Sequence, residues 1–244
     1  MKILHITDLH YTNKIGSRTK QKKLIDNFID DLTKNVEDID FVIFSGDLVN
    51  DGSSVSDFQL AREGFLEKIL STLKIEKKNL FICPGNHDVD RTQVSNSLIK
   101  YLDEEINNND DLNLFFKKDN PDLINSHKPL TNYSNFIGEL YGTENTDLDY
   151  NEDMYSTHIR NSQYGKIGIV CLNTAWRAIG QNDDTNLLYP IVKVDEALDR
   201  IISCEVKIVI HHHPLNSIKP FNLYDLEDLL HKRFDFMFSG HVHK

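Results

Sequence analysis

Short apolar runs rich in β-branched residues alternate with longer amphipathic stretches along this chain of 244 residues. Residues 2–6 read as a first strand. Leu24, Ile25, Phe28, Ile29 and Leu32 then recur at the spacing of one helix face. An unbroken apolar run at residues 41–44 reads as a buried strand. Phe58, Ala61, Phe65, Ile69 and Leu73 mark a second helix, and residues 80–83 a third strand. This β-α-β-α-β rhythm predicts a sheet with helices packed on its faces.

From about residue 91 to 152 the pattern loosens. Acidic and Asn-rich patches at 107–111 and 143–149 separate helix-like pieces at 97–106 and 133–141. They predict a helical insertion over one end of the sheet, inside a single domain of residues 1–244. Residues 154–159 and 166–172, joined by 160–165, look like a hairpin. A helix at 195–202 leads to a strand at 206–210, and a helix at 223–231 to a last strand at 234–238.

Composition changes this picture little, with 39% hydrophobic and 27% charged residues, the balance of an ordinary soluble domain. No run approaches the roughly 18 apolar residues of a membrane span. The N-terminus meets Asp8 too soon for a signal peptide. A cytoplasmic protein without a membrane partner is expected. Cys83, Cys171 and Cys204 are odd in number and lack a CxxC spacing, which argues against a disulfide framework or a thiolate zinc site. The net charge of −11 argues against holding long duplex DNA by phosphate neutralisation.

The chemistry lies in where the ligand-type residues fall. Asp8-Leu9-His10 follows the first predicted strand, Gly46-Asp47 the second, and Gly85-Asn86-His87-Asp88 the third. His211-His212-His213-Pro214 follows the strand at 206–210, and Gly240-His241-Val242-His243 the last one. Any one of these clusters occurs readily as a plain turn or surface loop. All of them at strand carboxyl ends, the edge where open α/β sheets bind ligands, point to one site.

In these motifs the chain resembles the calcineurin-like metallophosphoesterases, whose pattern is DxH, GD, GNH(D/E), H and GHxH. The resemblance spans Asp8 to His243. It implies a four-layer α/β/β/α sandwich of two mixed sheets flanked by helices. It also implies two divalent cations, with Mn, Fe or Zn suited to imidazole and carboxylate donors. Asp8, His10, Asp47 and His243 would hold one ion; Asp47, Asn86, His212 and His241 would hold the other. His212 is preferred within its triplet because the family ligand stands two residues before the proline, with His213 next in line. His87 would act on the phosphoryl group or the leaving oxygen, oriented by a hydrogen bond to Asp88.

Asn50 and Arg91 are candidate substrate contacts, although a turn residue and a solvated loop arginine explain them equally well. Asn173 and Thr174 end a strand at the same edge, and Trp176 is expected to pack. The protein Ser/Thr phosphatase pattern GDxVDRG is not matched by Gly46–Gly52, and Asn50 stands where purple acid phosphatases place a tyrosine ligand. What remains is similar to a bacterial branch of cyclic-nucleotide phosphodiesterases and repair nucleases. The resemblance therefore implies a phosphodiesterase using a metal-activated water on a small nucleotide-type substrate. A DNA or RNA nuclease, with single-stranded nucleic acid as partner, is the alternative within the class, and a non-catalytic scaffold or sensor the alternative outside it. Relatives continue past GHxH, so further C-terminal domains are expected beyond Lys244.

Overall fold

The computed structural model describes residues 1–117, 120–142, 149–163, 165–180 and 183–242. Two sheets carry the fold. In the first, β1 (Ile3–Ile6), β2 (Phe41–Phe44) and β3 (Leu80–Ile82) lie in that order, both pairs parallel. In the second, β4 (Asp149–Asn151), β5 (Tyr155–Ser162), β6 (Gly165–Leu172), β7 (Val206–Ile210) and β8 (Phe236–Phe238) follow in sequence order. Pairing there is antiparallel from β4 to β6 and parallel from β6 to β8. Both sheets were expected to be mixed. The smaller one is parallel among the described residues because its crossovers run through helices, α1 (Ile15–Asn35) and then α2 (Val55–Ala61) and α3 (Glu67–Leu73).

Alternation along the strands builds the layers. Phe41, Ile43, Phe81 and Cys83 meet Ile167, Ile169, Cys171, Ile208 and Ile210 between the sheets. Their neighbours in the strands, Val42, Phe44, Val170 and Val209 among them, belong to the core shared with helix residues such as Ile25, Leu32, Phe65, Val194 and Leu226. The last two come from α8 (Ile191–Arg200) and α9 (Pro220–Arg233), the crossovers of the second sheet. Burial on both faces is why β2 reads as a continuous apolar run.

The segment expected as an insertion contains α4 (Asn96–Glu104), α5 (Asn109–Phe115), α6 (Pro121–His127) and α7 (Thr131–Tyr141). The Asn-rich patch before α5 is the start of that helix. Asn108 accepts a hydrogen bond from Asp111 N, and Asp110 and Asp111 stand in the first turn where the helix dipole favours acid. These helices are woven into the core. Phe116 packs edge-on against Trp176, Phe136 stacks on Phe58, and the Tyr141 hydroxyl donates to Leu80 O at 2.8 Å. The second patch largely falls on residues 143–148, outside the described residues, but its end forms β4. The expected connector 160–165 is mostly strand, since β5 runs on to Ser162 with the Arg160 guanidinium on Asp149 at 2.8 Å.

Backbone hydrogen bonds then stitch the strand-end loops together. Asp8 N donates to Gly46 O, His10 N to Asp47 O and Tyr11 N to Leu48 O, at 2.9–3.1 Å. Asp88, wholly buried, joins the next pair of loops: Oδ1 accepts from Val49 N at 3.0 Å and Oδ2 from Gly85 N at 2.9 Å. Burial, and then the negative charge of Asp47, push the Asp88 carboxyl up to about 7.

Truncating a side chain between the sheets tests this layering. Ile169→Ala should lower unfolding free energy by about 2–5 kcal/mol in chemical denaturation; a loss under about 1 kcal/mol would contradict tight inter-sheet packing. Asp88→Ala should also destabilise, by about 1–3 kcal/mol for each amide left without its acceptor. Because the folded-state pKa of Asp88 is raised above 3.8, its contribution is complete at low pH and is lost as pH climbs towards about 7. Metal-free wild type should therefore lose more stability between pH 4.5 and 8 than Asp88→Ala does. Parallel pH profiles for the two proteins would show that Asp88 does not titrate in this window.

Candidate metal centre

Each ligand motif begins where a strand stops, and the backbone turns there through unusual conformations. Asp8, His10, Asp47 and His241 all have positive φ, between 49° and 72°. Such left-handed residues cost about 1–3 kcal/mol each and persist where the surroundings impose them. The glycines of the motifs answer to close approach. Gly46 has φ +95°, and a Cβ there would stand 2.5 Å from His212 Nδ1. A Cβ on Gly85 would overlap the Asp47 carboxylate.

Asp47, 1% exposed, is the centre of the arrangement. Its Oδ2 lies 3.3 Å from His212 Nε2 and 3.7 Å from His10 Nε2, and Asp8 Oδ1 is 3.8 Å from that same His10 atom. Its Oδ1 accepts from His87 N at 2.8 Å. On the other side, Asn86 Oδ1 is 3.2 Å from His212 Nε2 and 3.0 Å from His241 Nδ1, and these two nitrogens are 3.3 Å apart. Ligand atoms of Asp8, Asp47 and His212 fall within 4.8 Å of one another, as do those of His10, Asp47 and His87.

The hydrogen bond on the far side of His212 decides what this cluster is for. Ser45 O, which can only accept, is 2.7 Å from His212 Nδ1, so Nδ1 carries the proton and Nε2 is left as a lone pair. That lone pair faces Asp47 Oδ2 and Asn86 Oδ1, both acceptors. Acceptors converging in a buried place repel one another unless a positive charge stands among them. Without metal, a proton on His212 meets the need. Burial opposes charging His212, but the hydrogen bond to Asp47 and the charge of that carboxylate outweigh burial and raise its pKa. Burial likewise pushes Asp47 up, and the His212 contact overrides it and holds the carboxyl well below the usual carboxylate range. A divalent cation replaces that proton with a larger charge, and the donor set of carboxylate, amide oxygen and imidazole fits Mn, Fe or Zn. The site fits the metal pair that the motifs imply.

The residues anticipated from the motifs therefore come together: Asp8, His10, Asp47, Asn86, His212 and His241. His243 lies outside the described residues. Of the triplet, His212 faces the cluster. His211 turns its Nδ1 to His213 O at 2.7 Å, and burial draws its pKa down to about 4. His213 has its Nδ1 on Thr174 Oγ1 at 2.9 Å, although its ring also approaches His241.

One role needs correction. Asp88 does not orient His87: its oxygens are turned to the Val49 and Gly85 amides, and no hydrogen bond joins it to the His87 ring. His87 is oriented instead by Asn50 O, 3.0 Å from its Nδ1, and stands edge-on to His10 with ring centroids 4.5 Å apart. Asn50 thus serves through its carbonyl. Arg91 packs over Gly180 and reaches Asn86 O at 3.5 Å, a positioning contact and not a demonstrated substrate contact. Sequence reasoning missed Ser45 and Thr7. Ser45 orders His212, and Thr7 Oγ1 donates to Asp8 Oδ2 at 2.6 Å. Each stands immediately before its motif, and that adjacency was the available signal.

Comparison with known proteins agrees with this geometry. The chain is 24% identical, over its whole length, to the uncharacterized metallophosphoesterase-like protein YydB of Bacillus subtilis (strain 168). It spans about half, 49%, of that relative's length. A family model described as calcineurin-like phosphoesterase matches residues 1–244, and the chain belongs to that family of metal-dependent phosphoric ester hydrolases.

Proposed function

We propose that this protein hydrolyses a nucleotide-type phosphodiester at a pair of divalent cations held by Asp8, His10, Asp47, Asn86, His212, His241 and His243. The observation that carries the proposal is the convergence of His212 Nε2, Asp47 Oδ2 and Asn86 Oδ1 on one buried point. When bound, such cations acidify water and neutralise charge on a transferring phosphoryl group.

The chain's own residues supply the rest. Asp47 lies between the two ligand groups and is suited to hold both ions. His87 gives its Nδ1–H to Asn50 O, so its Nε2 is the atom that exchanges a proton with the site. In the imidazolium form that nitrogen donates to a leaving oxygen, and in the neutral form it accepts. The net charge of −11 favours a small or single-stranded substrate over a long duplex. No helix among the described residues is long and apolar enough to cross a membrane, which is compatible with action in the cytoplasm.

Asp47→Asn should keep the circular dichroism of the wild type. Bound manganese, by elemental analysis, should fall from about two ions per chain to one or none, and hydrolysis of bis-p-nitrophenyl phosphate should be lost. Unchanged turnover would rule out the shared carboxylate. His87→Ala should keep its metal but slow kcat by about 10²–10⁴-fold. If wild type loaded with Mn, Fe or Zn cleaves neither this ester, cyclic nucleotides nor single-stranded DNA, a non-catalytic scaffold becomes the better description.

A further inference from the structure

A cavity of about 230 Å³ opens between α7, the end of β3 and the first residues of β5. It adjoins the metal edge at two points. Pro84 lines it and leads directly into Gly85 and Asn86; Asn173 lines it and leads into Thr174, which holds His213. Its volume is below the roughly 300–1,000 Å³ of pockets for whole drug-sized ligands, which limits it to a single ring system.

The polar atoms in this cavity are arranged by a hydrogen-bonded chain. Asp149 on β4 pairs in register with His158 on β5, and Ser156 lies two residues back on the same face. Asp149 Oδ1, held by the Arg160 guanidinium, is 2.6 Å from His158 Nδ1. A carboxylate accepts, so Nδ1 carries the proton and His158 Nε2 is a lone pair. Ser156 Oγ, 3.0 Å from Nε2, must donate its only hydrogen there. The hydroxyl is thereby left as an acceptor towards a ligand. Tyr133 lines the same cavity with a buried ring, and its hydroxyl makes no hydrogen bond among the described residues.

Charge excludes a phosphate from this place. No lysine or arginine lines it among the described residues, whereas Glu152 and Asp153 do. An anion would be desolvated there without a partner. Tyr150 and Tyr155 add aromatic surface, which suits a flat ring.

We propose that this cavity beside the metal centre binds the base of the substrate, a planar nucleobase bearing an exocyclic amine, which donates an N–H to Ser156 Oγ. The proposal rests on the phosphodiesterase function above and names the part of the substrate that lies away from the metals. A base with a carbonyl at the same position would set one acceptor against another and be rejected.

Free nucleosides test this without metal or turnover. Cytidine against uridine, and adenosine against inosine, would be titrated into the full chain by isothermal calorimetry. At least one amine-bearing member should bind about tenfold or more tightly than its carbonyl partner, a preference of the size one lost hydrogen bond produces. Ser156→Ala should bring that ratio close to one. Tyr133→Phe, which keeps the ring and the packing, should weaken binding and guards against misfolding of the first variant. Equal affinity within both pairs, or a preference that survives both variants, would overturn the proposal, as would absence of binding by all four. Hydrolysis of bis-p-nitrophenyl phosphate by the metal-loaded wild type, measured in parallel, separates the two failures. Turnover without nucleoside discrimination removes the base site alone; discrimination without any turnover removes the phosphodiesterase function.

Discussion

Everything near the carboxyl ends of the strands depends on a shortage of positive charge. Asp47 is buried, Asp8 and Asp88 lie close by, and the imidazole that faces Asp47 directs its Nδ1–H away, to Ser45 O. A folded protein does not keep acceptors crowded this way for packing alone. Left without a cation, the site compensates with the means it has: His212 is pushed towards its charged form and Asp88 towards its neutral one. Both adjustments supply a proton where a metal ion would supply two charges. The strained backbone at Asp8, His10, Asp47 and His241 belongs to the same balance, since it aims the donor atoms at one another and not at solvent.

The scaffold makes this aiming affordable. Strands β1, β2, β3 and β7 are short, β2 and β3 are buried along their whole length, and all four end at a common edge. The loops beyond them are not independent. A ladder of backbone hydrogen bonds runs between the first two, Asp88 bridges the second and third, and Ser45 O ties the second to the fourth through His212. Shifting one ligand therefore moves its neighbours, and the donor set behaves as one rigid unit. Precision of this kind is what a metal pair requires, because second-shell partners set the tautomer and direction of each ligand.

Legibility in the sequence followed the range of the interactions involved. The strand at Phe41–Phe44 was plain because all four residues are apolar and buried, and the ligand motifs were plain because each is short and contiguous. The start of α1 was not, since Ile15 to Lys23 is largely solvated and shows no apolar stripe until Leu24. Strand β4 was invisible for a different reason. Asp149, Tyr150 and Asn151 have no strand pattern, and they are held by pairing to β5 and by the contacts of Asp149 with His158 and Arg160. The role of Asp88 could not be read either. A Gly-Asn-His-Asp turn looks the same whether its last carboxylate meets the neighbouring imidazole or the amides of Gly85 and the distant Val49, and only the third dimension chooses.

The same limit keeps His158 from standing out in the sequence. It has no ligand beside it in the sequence, and it is indeed buried, with burial lowering its pKa. Its neighbours are nonetheless specific: a carboxylate on one nitrogen and a hydroxyl on the other. The metal edge and the cavity next to it then divide the work by charge. At the edge, acceptors gather so that cations must enter and phosphate can follow. In the cavity, no lysine or arginine is offered among the described residues, and the Ser156 hydroxyl shares the walls with carboxylates and aromatic rings. On the proposal above, an ester with an anionic centre and a neutral, amine-bearing ring would have its two ends sorted between these environments, and that sorting would set the orientation of its scissile bond.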